Sequence, residues 1–585
     1  MRSEVEFAFL HEGSLLPFLF RLLGKKTVCV LWPYPAAHVL GRPFEGLVRW
    51  LGRKGRVVPR ESAAGDALAA LDRRVPERLD MYGEVEAWAA GYFGFDGAED
   101  DFYARPFRFC AAKYVYDVVC PAAYLLEQVG PERTRYVPDE VRDVHDFWFG
   151  KGAARSRFRP RWWQPLANLA YALTALATGI VRIVSTLRLR RPRPQPVLLA
   201  ADVPTLGGQP RHIRVLADIV DSPEDLLLVF RNGGQYRQLR QFSGPYASCL
   251  PTAEPLGPVQ AAKALRQLVA DLVLLVGRHW STAPGIFWEL VRLARVRISV
   301  NALLDNRPPR YFWCRDDYNS DHIIRSQELR RRGSKSLGIA HGVLAWGTCE
   351  GALRFLDFDV YYVFGLDLYQ RYYCSRWRPE MKVEAVGSFG LGYDQLRQME
   401  TPRPPNILFF ADTTVDEPDF YRAAIDIAEA FPDRTVYLKL KPGRIDTPHA
   451  APFRAMAAEP LPANLVITDQ DTYELMLDGR YSIGSTSSVV SEALQFGLVS
   501  LVLDVDTVCT YKYYSEYPEF IFRSAAAVID YIRKIESGEA RYDRSKFEGL
   551  VDLSGRVLAD VVRADMGLPP RHPGYRFVPP EIGPG

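Results

Sequence analysis

The stretch IGSTSSVVSEALQFGLVSLVLD, from Ile483 to Asp504, holds the pattern that decides the fold class. A short apolar run ends at Gly484, four hydroxyl residues follow it, and a second apolar run starts after Gly497. The residues between the two runs favour a helix, which Gly497 would end. Strand, helix and strand in this order form the repeating unit of a parallel sheet. We therefore predict a helix that begins at residue 487 or 488, just beyond the carboxyl end of a buried strand.

The same alternation of strand and helix patterns covers the chain from residue 196 onward. The strand candidates are 196–202, 225–230, 270–277, 296–304 and 335–342 in a first set, and 406–412, 435–442, 464–469, 481–484 and 499–504 in a second. A proline cluster at 401–405 separates the two sets. Apolar runs divided by helical stretches are typical of parallel sheets that are covered on both faces. The sequence therefore predicts an α/β fold with two parallel-sheet domains joined near 390–405.

Length and composition agree with a multidomain globular protein. A chain of 585 residues is too long for one core, and two to four domains are expected. The 73 basic and 70 acidic residues nearly cancel, so the charge gives no reason to expect a nucleic-acid partner. The eight cysteines are scattered without a CxxC pair, which argues against a zinc cluster and suits a reducing compartment. The first residues lack the basic region of a signal peptide, and a cytoplasmic location is expected.

Residues 151–195 differ from their surroundings because they contain ten basic residues and no acidic one. An uncharged stretch between Arg161 and Arg182 begins with two tryptophans and favours a helix. The stretch barely reaches the roughly 20 apolar residues that a membrane span needs. Tryptophans beside arginines suit a helix that lies in the interface of an anionic membrane. We prefer this interfacial helix; a soluble helix that covers a core and a true span are the alternatives.

These patterns divide the chain into five parts. Residues 1–150 form an accessory module, either α/β or mostly helical, and 151–195 form the basic membrane-interfacial segment and a linker. Residues 196–395 and 406–560 carry the two parallel-sheet domains. Residues 561–585 are rich in proline and glycine, and we expect them to lie over the surface.

The candidate site lies in the loops that follow the strands, because doubly wound sheets bind ligands beyond the carboxyl ends of their strands. The four hydroxyl residues after Gly484 are Ser485, Thr486, Ser487 and Ser488. A helix N-terminus exposes N–H groups and positive dipole charge, which suits a phosphate, and the hydroxyls add donors. Glu492 lies on the same helix face as Ser488 and can accept hydrogen bonds from a ribose diol. Helix capping by one serine is the structural alternative.

The stretch DTYELMLDGRYSIGSTSSVVSEALQFGLVSLVLD, which begins at Asp471, resembles a known nucleotide-binding region. It is similar to GT-B glycosyltransferases of bacterial surface and capsular polysaccharide synthesis, including teichoic-acid polymerases. These proteins share a D-T-x-x-L-L approach, a small-residue turn, S/T-S-x-x-x-E-A and G-x-P-V, where this chain has Gly497-Leu498-Val499. The similarity spans roughly 195–530. It implies a GT-B fold, in which two Rossmann-like domains face a cleft. In it, the carboxylate at Glu492 holds the donor ribose and the hydroxyl turn holds the phosphates.

The resemblance also implicates loops of the second domain and the end of the first. Lys439 and Lys441 alternate along one strand and are expected on one face, where lysine is a competent phosphate partner. Lys441 and the following proline stand where capsule-type proteins usually have a histidine-proline pair. Two lysines on a solvated strand edge are the alternative. Thr413 is expected to face the phosphates, and Ser388 matches a strand end of the family.

Two loops of the first domain complete the expected site. Gly207, Gly208 and Gln209 follow the first strand of the set and resemble the glycine turn that brings backbone close to donor or acceptor. His341 and Gly342 resemble the histidine-glycine loop of capsule synthases and teichoic-acid polymerases. There the histidine is a proposed base for an acceptor hydroxyl, a role that suits its ordinary pKa. A buried structural histidine is the alternative.

The absence of certain motifs argues against some types of transfer reaction. The position eight residues before Glu492 is Gly484, so the chain lacks the paired glutamates of the retaining GT-B subgroup. It has no Asp-x-Asp motif after a strand and no phosphate-binding GxxxxGK[ST] loop, and we expect no metal and no cofactor besides the substrate. The resemblance implies sugar transfer from a nucleotide-sugar to a lipid-linked or growing glycan, at the cytoplasmic face of the membrane. Polyol-phosphate transfer, a sugar-nucleotide 2-epimerase and a non-catalytic scaffold are the alternatives.

Overall fold

The structure is a computed structural model, and three parallel sheets lie in the part of the chain that it describes. The described residues are 6–10, 28–33, 91–93, 102–135, 137–149, 159, 161–190, 193–203, 209–231, 233, 236, 245–315, 317–340, 342, 351–388, 390–411, 418–440, 451–485, 488–505 and 517–580. The elements named below all lie in these ranges.

The N-terminal part contains a small sheet and helices that share a core with helices further along the chain. Its elements are β1 Glu6–Leu10, β2 Val28–Pro33, α1 Ala104–Tyr114, α2 Cys120–Val129, β3 Thr134–Arg135, α3 Asp139–Phe149 and α4 Trp163–Thr186. The strands pair in the order β2–β1–β3, all parallel. Arg105 of α1 donates a hydrogen bond to the carbonyl of Leu356 at 2.8 Å, which fixes this part against the first large domain.

A seven-stranded parallel sheet forms the first large domain. Its elements are β4 Val197–Val203, α5 Gln209–Ile219, β5 Leu226–Phe230, β6 Ala247–Cys249, α6 Pro258–His279, α7 Pro284–Asn306, β7 Pro309–Cys314, α8 Asp321–Arg330, β8 Lys335–Ile339, β9 Val360–Val363, α9 Asp367–Tyr372 and β10 Lys382–Ala385. In space the order is β10–β9–β8–β7–β4–β5–β6, so the winding reverses between β4 and β7. Such a reversal opens a ligand crevice at the carboxyl ends of the strands.

Two of the predicted strands of this domain are wrong. Residues 270–277 lie inside α6 and residues 296–304 lie inside α7. Both runs consist mostly of apolar residues, and a short run of this kind does not distinguish a buried strand from a buried helix. α7 is packed against α4, α6 and α8 and buries residues on several of its sides, so its apolar residues do not alternate with a clear helical period. The strands that occupy this part of the sheet are instead β6 and β7.

A six-stranded parallel sheet forms the second large domain. Its elements are α10 Tyr393–Met399, β11 Ile407–Ala411, α11 Pro418–Ala430, β12 Val436–Leu440, α12 Ala451–Ala457, β13 Leu465–Thr468, α13 Thr472–Leu475, β14 Tyr481–Gly484, α14 Ser488–Gln495, β15 Val499–Leu503, β16 Ile521–Phe522, α15 Ala525–Ser537 and α16 Leu558–Asp565. The order is β13–β12–β11–β14–β15–β16, so the winding reverses between β11 and β14. All five strands predicted here are confirmed, and so is the helix start at residue 488.

The two large domains share one hydrophobic core, and the end of the chain returns to the first domain. Arg563 of α16 donates to the carbonyl of Ile219 at 2.8 Å, and the hydroxyl of Tyr311 donates to the carbonyl of Met566 at 2.9 Å. Two Rossmann-like parallel-sheet domains, with an additional N-terminal part, constitute the GT-B fold that the sequence predicts.

α4 confirms the helix predicted in the basic segment. It is the one helix among the described residues that is long and apolar enough to cross a membrane, with a mean hydropathy of 1.5 in its most apolar window. Its inner face packs on α6 and α7 and buries Tyr171, Ala175 and Ile183. Its outer face is exposed.

A buried charge network holds α6, α7 and α8 together, and it yields a stability prediction. Arg297 of α7 donates to Asp271 of α6 and to Glu328 of α8, both at 2.7 Å, and all three side chains are buried. Arg297→Met would leave two buried carboxylates without this partner, and we expect a loss of about 3–5 kcal/mol in the free energy of unfolding. Urea denaturation measures the change.

The control is Arg331→Met. Arg331 also contacts Glu328, at 3.1 Å, but its side chain is half exposed, so its ion pair contributes at most about 1 kcal/mol. Equal losses for the two variants would contradict a dominant role for the buried pair.

Candidate functional site

The candidate site lies where the carboxyl end of β14 meets the start of α14. Gly484 ends the strand, and an added Cβ there would lie 2.6 Å from Val490 Cγ2 and 3.0 Å from the carbonyl oxygen of Phe410. Only a glycine lets α14 approach the sheet this closely. Ser485 is 1% exposed, and its Oγ has no hydrogen-bond partner among the described residues. The helix N-terminus and a buried hydroxyl therefore meet at the edge of the sheet.

The carboxylate of Glu492 is buried and accepts hydrogen bonds from three hydroxyls. Ser388 Oγ donates to Oε2 at 2.5 Å, the hydroxyl of Tyr473 donates to the same oxygen, and Ser488 Oγ donates to Oε1 at 3.1 Å. Each carboxylate oxygen can accept about two hydrogen bonds. Among the described residues only Ser488 donates to Oε1, which leaves room there for one more donor. Hydroxyl groups are the donors that this carboxylate binds, and a sugar hydroxyl is of the same kind.

Ser388 reaches Glu492 from the other domain. It lies just beyond β10, where Val386 and Gly387 still donate hydrogen bonds to β9 and the residue after it. Its N–H donates to Gln495 Oε1 of α14 at 2.5 Å. Gly387 has φ +67°, and side chains at Gly387 or Gly390 would collide with Gln495 and Tyr473 respectively. The segment after β10 thus lies directly against the second domain because its glycines carry no side chains.

The loop after β8 also meets this edge. An added Cβ at Gly342 would lie 3.3 Å from Ser488 Oγ. The strand ends of β8 and β10 in the first domain and of β14 in the second therefore converge at the N-terminus of α14. His341, the predicted base, lies outside the described residues.

Lys439 is a buried cation at the same edge. Its side chain is 4% exposed on β12, which lies between β11 and β13, so the alternative of a solvated edge is wrong for this residue. It has no ion-pair partner within 4 Å among the described residues. Burial lowers its pKa, against the opposing charges of Asp471 and Asp469. A buried ammonium without a paired carboxylate is costly unless an anion binds it.

The strand register places Lys439 on the same face as α14. Lys439 pairs with Phe410, and Phe410 pairs with Gly484, so the three residues form one row across the sheet. Registered residues of neighbouring strands point to one face, and Gly484 faces α14 through Val490. Two strand spacings, about 10 Å, separate the Cα atoms of Lys439 and Gly484.

Seven of the predicted site residues lie outside the described residues. They are His341, Lys441, Thr413, Thr486, Ser487, Gly207 and Gly208. Gln209 starts α5, which gives its place in the backbone only. The structure brings together Gly484, Ser485, Ser488, Glu492 and Ser388 directly, and Lys439 through the strand register. Within the described ranges no group of three or more His, Cys, Asp or Glu side chains forms a metal site.

Sequence reasoning missed two parts of this edge. Tyr473 holds Glu492, and α13, which carries it, is capped by Asp471, whose side chain accepts from the N–H of Tyr473 at 3.0 Å. A capping residue before an apolar segment is a signal that could have located this helix. At the end of β4, Asp202 binds Arg231 at 2.8 Å. Arg231, which follows β5, gives the first domain a cation at its own strand ends.

The comparisons with known proteins find only solved structures of low similarity. No family model matches the chain, and no curated protein matches it. UDP-GlcNAc 2-epimerase from Neisseria meningitidis, solved with UDP-GlcNAc, is 11% identical over 63% of this chain and 99% of its own, with a TM-score of 0.40. Apo UGT2 from Phytolacca americana is 9% identical over 63% of this chain and 99% of its own, with a TM-score of 0.38. MurG from Acinetobacter baumannii is 12% identical over 64% of this chain and 96% of its own, with a TM-score of 0.31. The order of the two sheets, rather than these values, carries the assignment of the fold.

The lowered pKa of Lys439 yields a prediction with a definite sign. Because the folded-state pKa lies below the unfolded value, the native protein is destabilised while the lysine is charged, and this cost disappears as the pH rises toward 10.5. Lys439→Met removes the buried charge, and we expect it to raise the free energy of unfolding at neutral pH. The gain should shrink as the pH approaches 10.5. Chemical denaturation across this range measures it.

Lys534→Met is the matched control. Lys534 is half exposed and pairs with Asp530 one helical turn away, so its removal should change the stability little at any of these pH values. A Lys439→Met variant that is less stable than the native chain at neutral pH would show that the lysine is a structural partner instead.

Proposed function

We propose that the protein is a glycosyltransferase that takes its sugar from a nucleotide-sugar, binding the donor on the second domain, 406–560. The single observation that carries the proposal is the buried Lys439, which has no carboxylate partner among the described residues and faces the side of the sheet on which α14 begins. A cation and a helix N-terminus together suit the two phosphates of a nucleoside diphosphate.

Glu492 suits the ribose of the same donor. Its carboxylate already accepts three hydroxyl donors, and Oε1 has room for one more. A ribose hydroxyl can take that place or replace Ser388, with a similar O–H to carboxylate hydrogen bond. Ser488 connects the two halves of the site, since it is both the first residue of α14 and a donor to Glu492.

Transfer of the sugar needs one base and one stabilised leaving group. The acceptor oxygen forms a bond to the anomeric carbon of the donor, the bond from that carbon to the phosphate oxygen breaks, and its electron pair stays on the phosphate. Lys439, Lys441 and the N-terminus of α14 would stabilise the charge on that phosphate without a metal ion. His341 would take the proton of the acceptor hydroxyl. The contact of Gly342 with Ser488 supports a base in this loop.

The acceptor side of the proposal concerns the first domain, 196–395. Gly207, Gly208 and Gln209, for which the sequence predicts a turn, follow β4 in the chain, and the ion pair of Asp202 with Arg231 lies at the ends of β4 and β5. Arg325 lies 3.9 Å from the same carboxylate, so two cations face one carboxylate there, which suits an acceptor that carries phosphate, such as a lipid-linked or growing glycan of the bacterial surface. With such an acceptor the protein would work at the cytoplasmic face of the membrane.

Calorimetric titration with CMP, CDP, UDP and GDP tests the donor site. We expect one of these nucleotides to bind, and Lys439→Met and Glu492→Gln to weaken it about 10–100-fold, since a hydrogen bond to a charged group is worth about 1.5–3 kcal/mol. Glu474→Gln and Lys534→Met change the same residue types at exposed positions and should bind as the native chain does. Absence of binding by every nucleotide, or equal binding by all variants, would refute the donor site.

His341→Ala and His341→Gln test the base. Both should bind the nucleotide like the native chain, and both should lower the rate of transfer from the corresponding nucleotide-sugar about 10²–10⁴-fold, the usual contribution of a positioned base. Transfer of a radiolabelled sugar to membrane-extracted glycan measures the rate. Unchanged transfer would exclude His341 as the base, and nucleotide binding without any transfer by the native chain would favour a non-catalytic scaffold.

A further inference from the structure

α4 and α6 pack side by side, and each exposes large apolar side chains on its outward side. α4 exposes Leu173 and Ile180 on this side, and α6 exposes Val269 and Val273. Trp162, 81% exposed, and Trp280, 53% exposed, flank it. We call these six residues and the helix faces between them the α4–α6 face. Soluble monomers rarely leave so many large apolar side chains in contact with water, so the face indicates a binding partner.

The two helices are antiparallel and firmly held. The amide of Asn168, near the start of α4, donates to the carbonyls of Trp280 and Thr282 after the end of α6, at 2.7 and 2.8 Å. Gly179 contacts the side chain of Leu268, and the end of α4 forms a bridge to the residue before α6. To span a bilayer, α4 would have to break these contacts and expose Asn168 to lipid.

The exposed charged residues that α4, α6 and their flanking segments carry are all positive. Residues 161–195 contain no acidic residue, and 255–281 contain only Asp271, which is buried and paired with Arg297. Exposed cations lie at the end of α4 and along α6. They are Arg188, Arg190, Arg193, Lys263, Arg266 and Arg278. A second copy of this face would bring like charges together, whereas an anionic lipid surface would neutralise them.

The arrangement of side chains also suits the interface of a bilayer. Because the helices are antiparallel, Trp162 and Trp280 lie at one end of the face, and Arg188 and Arg190 lie at the other. Tryptophan rings favour headgroup depth, and arginines at the rim reach lipid phosphates while the apolar strip enters the acyl boundary.

We infer that the α4–α6 face docks the protein on anionic lipid as a two-helix platform that lies in the membrane interface. Half of this platform comes from α6, which lies outside the basic segment 151–195 and carries no sequence signature of a membrane helix. The inference does not depend on nucleotide binding or on sugar transfer.

Flotation with vesicles tests the platform. The native chain should float with vesicles of equal parts phosphatidylglycerol and phosphatidylcholine, and its tryptophan fluorescence should shift to the blue. The double variant Val269→Asp/Val273→Asp should bind about tenfold or more weakly, because two charges would have to enter the apolar boundary. Val578→Asp places the same charge at a position that is as exposed as Val273, 67%, and this variant should float like the native chain.

The double variant Arg188→Ala/Arg190→Ala tests the role of the charges. Its affinity for the anionic vesicles should fall about tenfold or more, since each 1.4 kcal/mol of lost attraction is roughly tenfold in affinity. Its affinity for vesicles of pure phosphatidylcholine should change little.

Circular dichroism and thermal unfolding of each variant show that the chain is still folded. The inference fails if the native chain does not float with anionic vesicles, or if the α6 double variant floats as well as the native chain. It also fails if carbonate extraction leaves the protein in the membrane, which would make α4 a span. Light scattering that shows a dimer, converted to a monomer by the α6 variant without any vesicle binding, would identify a second copy as the occupant instead.

Discussion

The hydrogen bond between Ser388 and the buried carboxylate of Glu492 is the constraint on which the candidate site depends. It joins the end of the last strand of one sheet to the switch-point helix of the other. Two glycines, Gly387 and Gly390, allow this approach because any side chain would collide with Gln495 or Tyr473. Glu492 and the start of α14 belong to the second domain, and Ser388 brings the end of β10 from the first domain to them.

The second domain could be predicted almost completely from the sequence because its signals are local. Each strand is a short apolar run with a clear boundary, and Gly497, at φ +82°, ends α14 as its place in the pattern requires. The row of Lys439, Phe410 and Gly484 follows from strand alternation once the order of strands is known. The candidate anion site was therefore predictable in its parts, although the burial of the lysine was not.

The first domain and the centre of the site were less predictable for two physical reasons. α6 and α7 have apolar stretches that satisfy a strand pattern equally well, and only tertiary packing decides between them. The contact of Ser388 with Glu492 spans 104 positions of sequence, and nothing local encodes it. The same limit applies to the α4–α6 face, since two helices that share no sequence signal become one surface only when they pack side by side.

The charges of the site limit what it can hold. Lys439 needs an anion, while Glu492 repels anions and accepts hydroxyl donors, and about 10 Å separates the strand that carries the lysine from the one that leads into α14. A free phosphate would satisfy the lysine only, and a neutral sugar would satisfy the carboxylate only. A ligand with phosphate at one end and a diol at the other satisfies both.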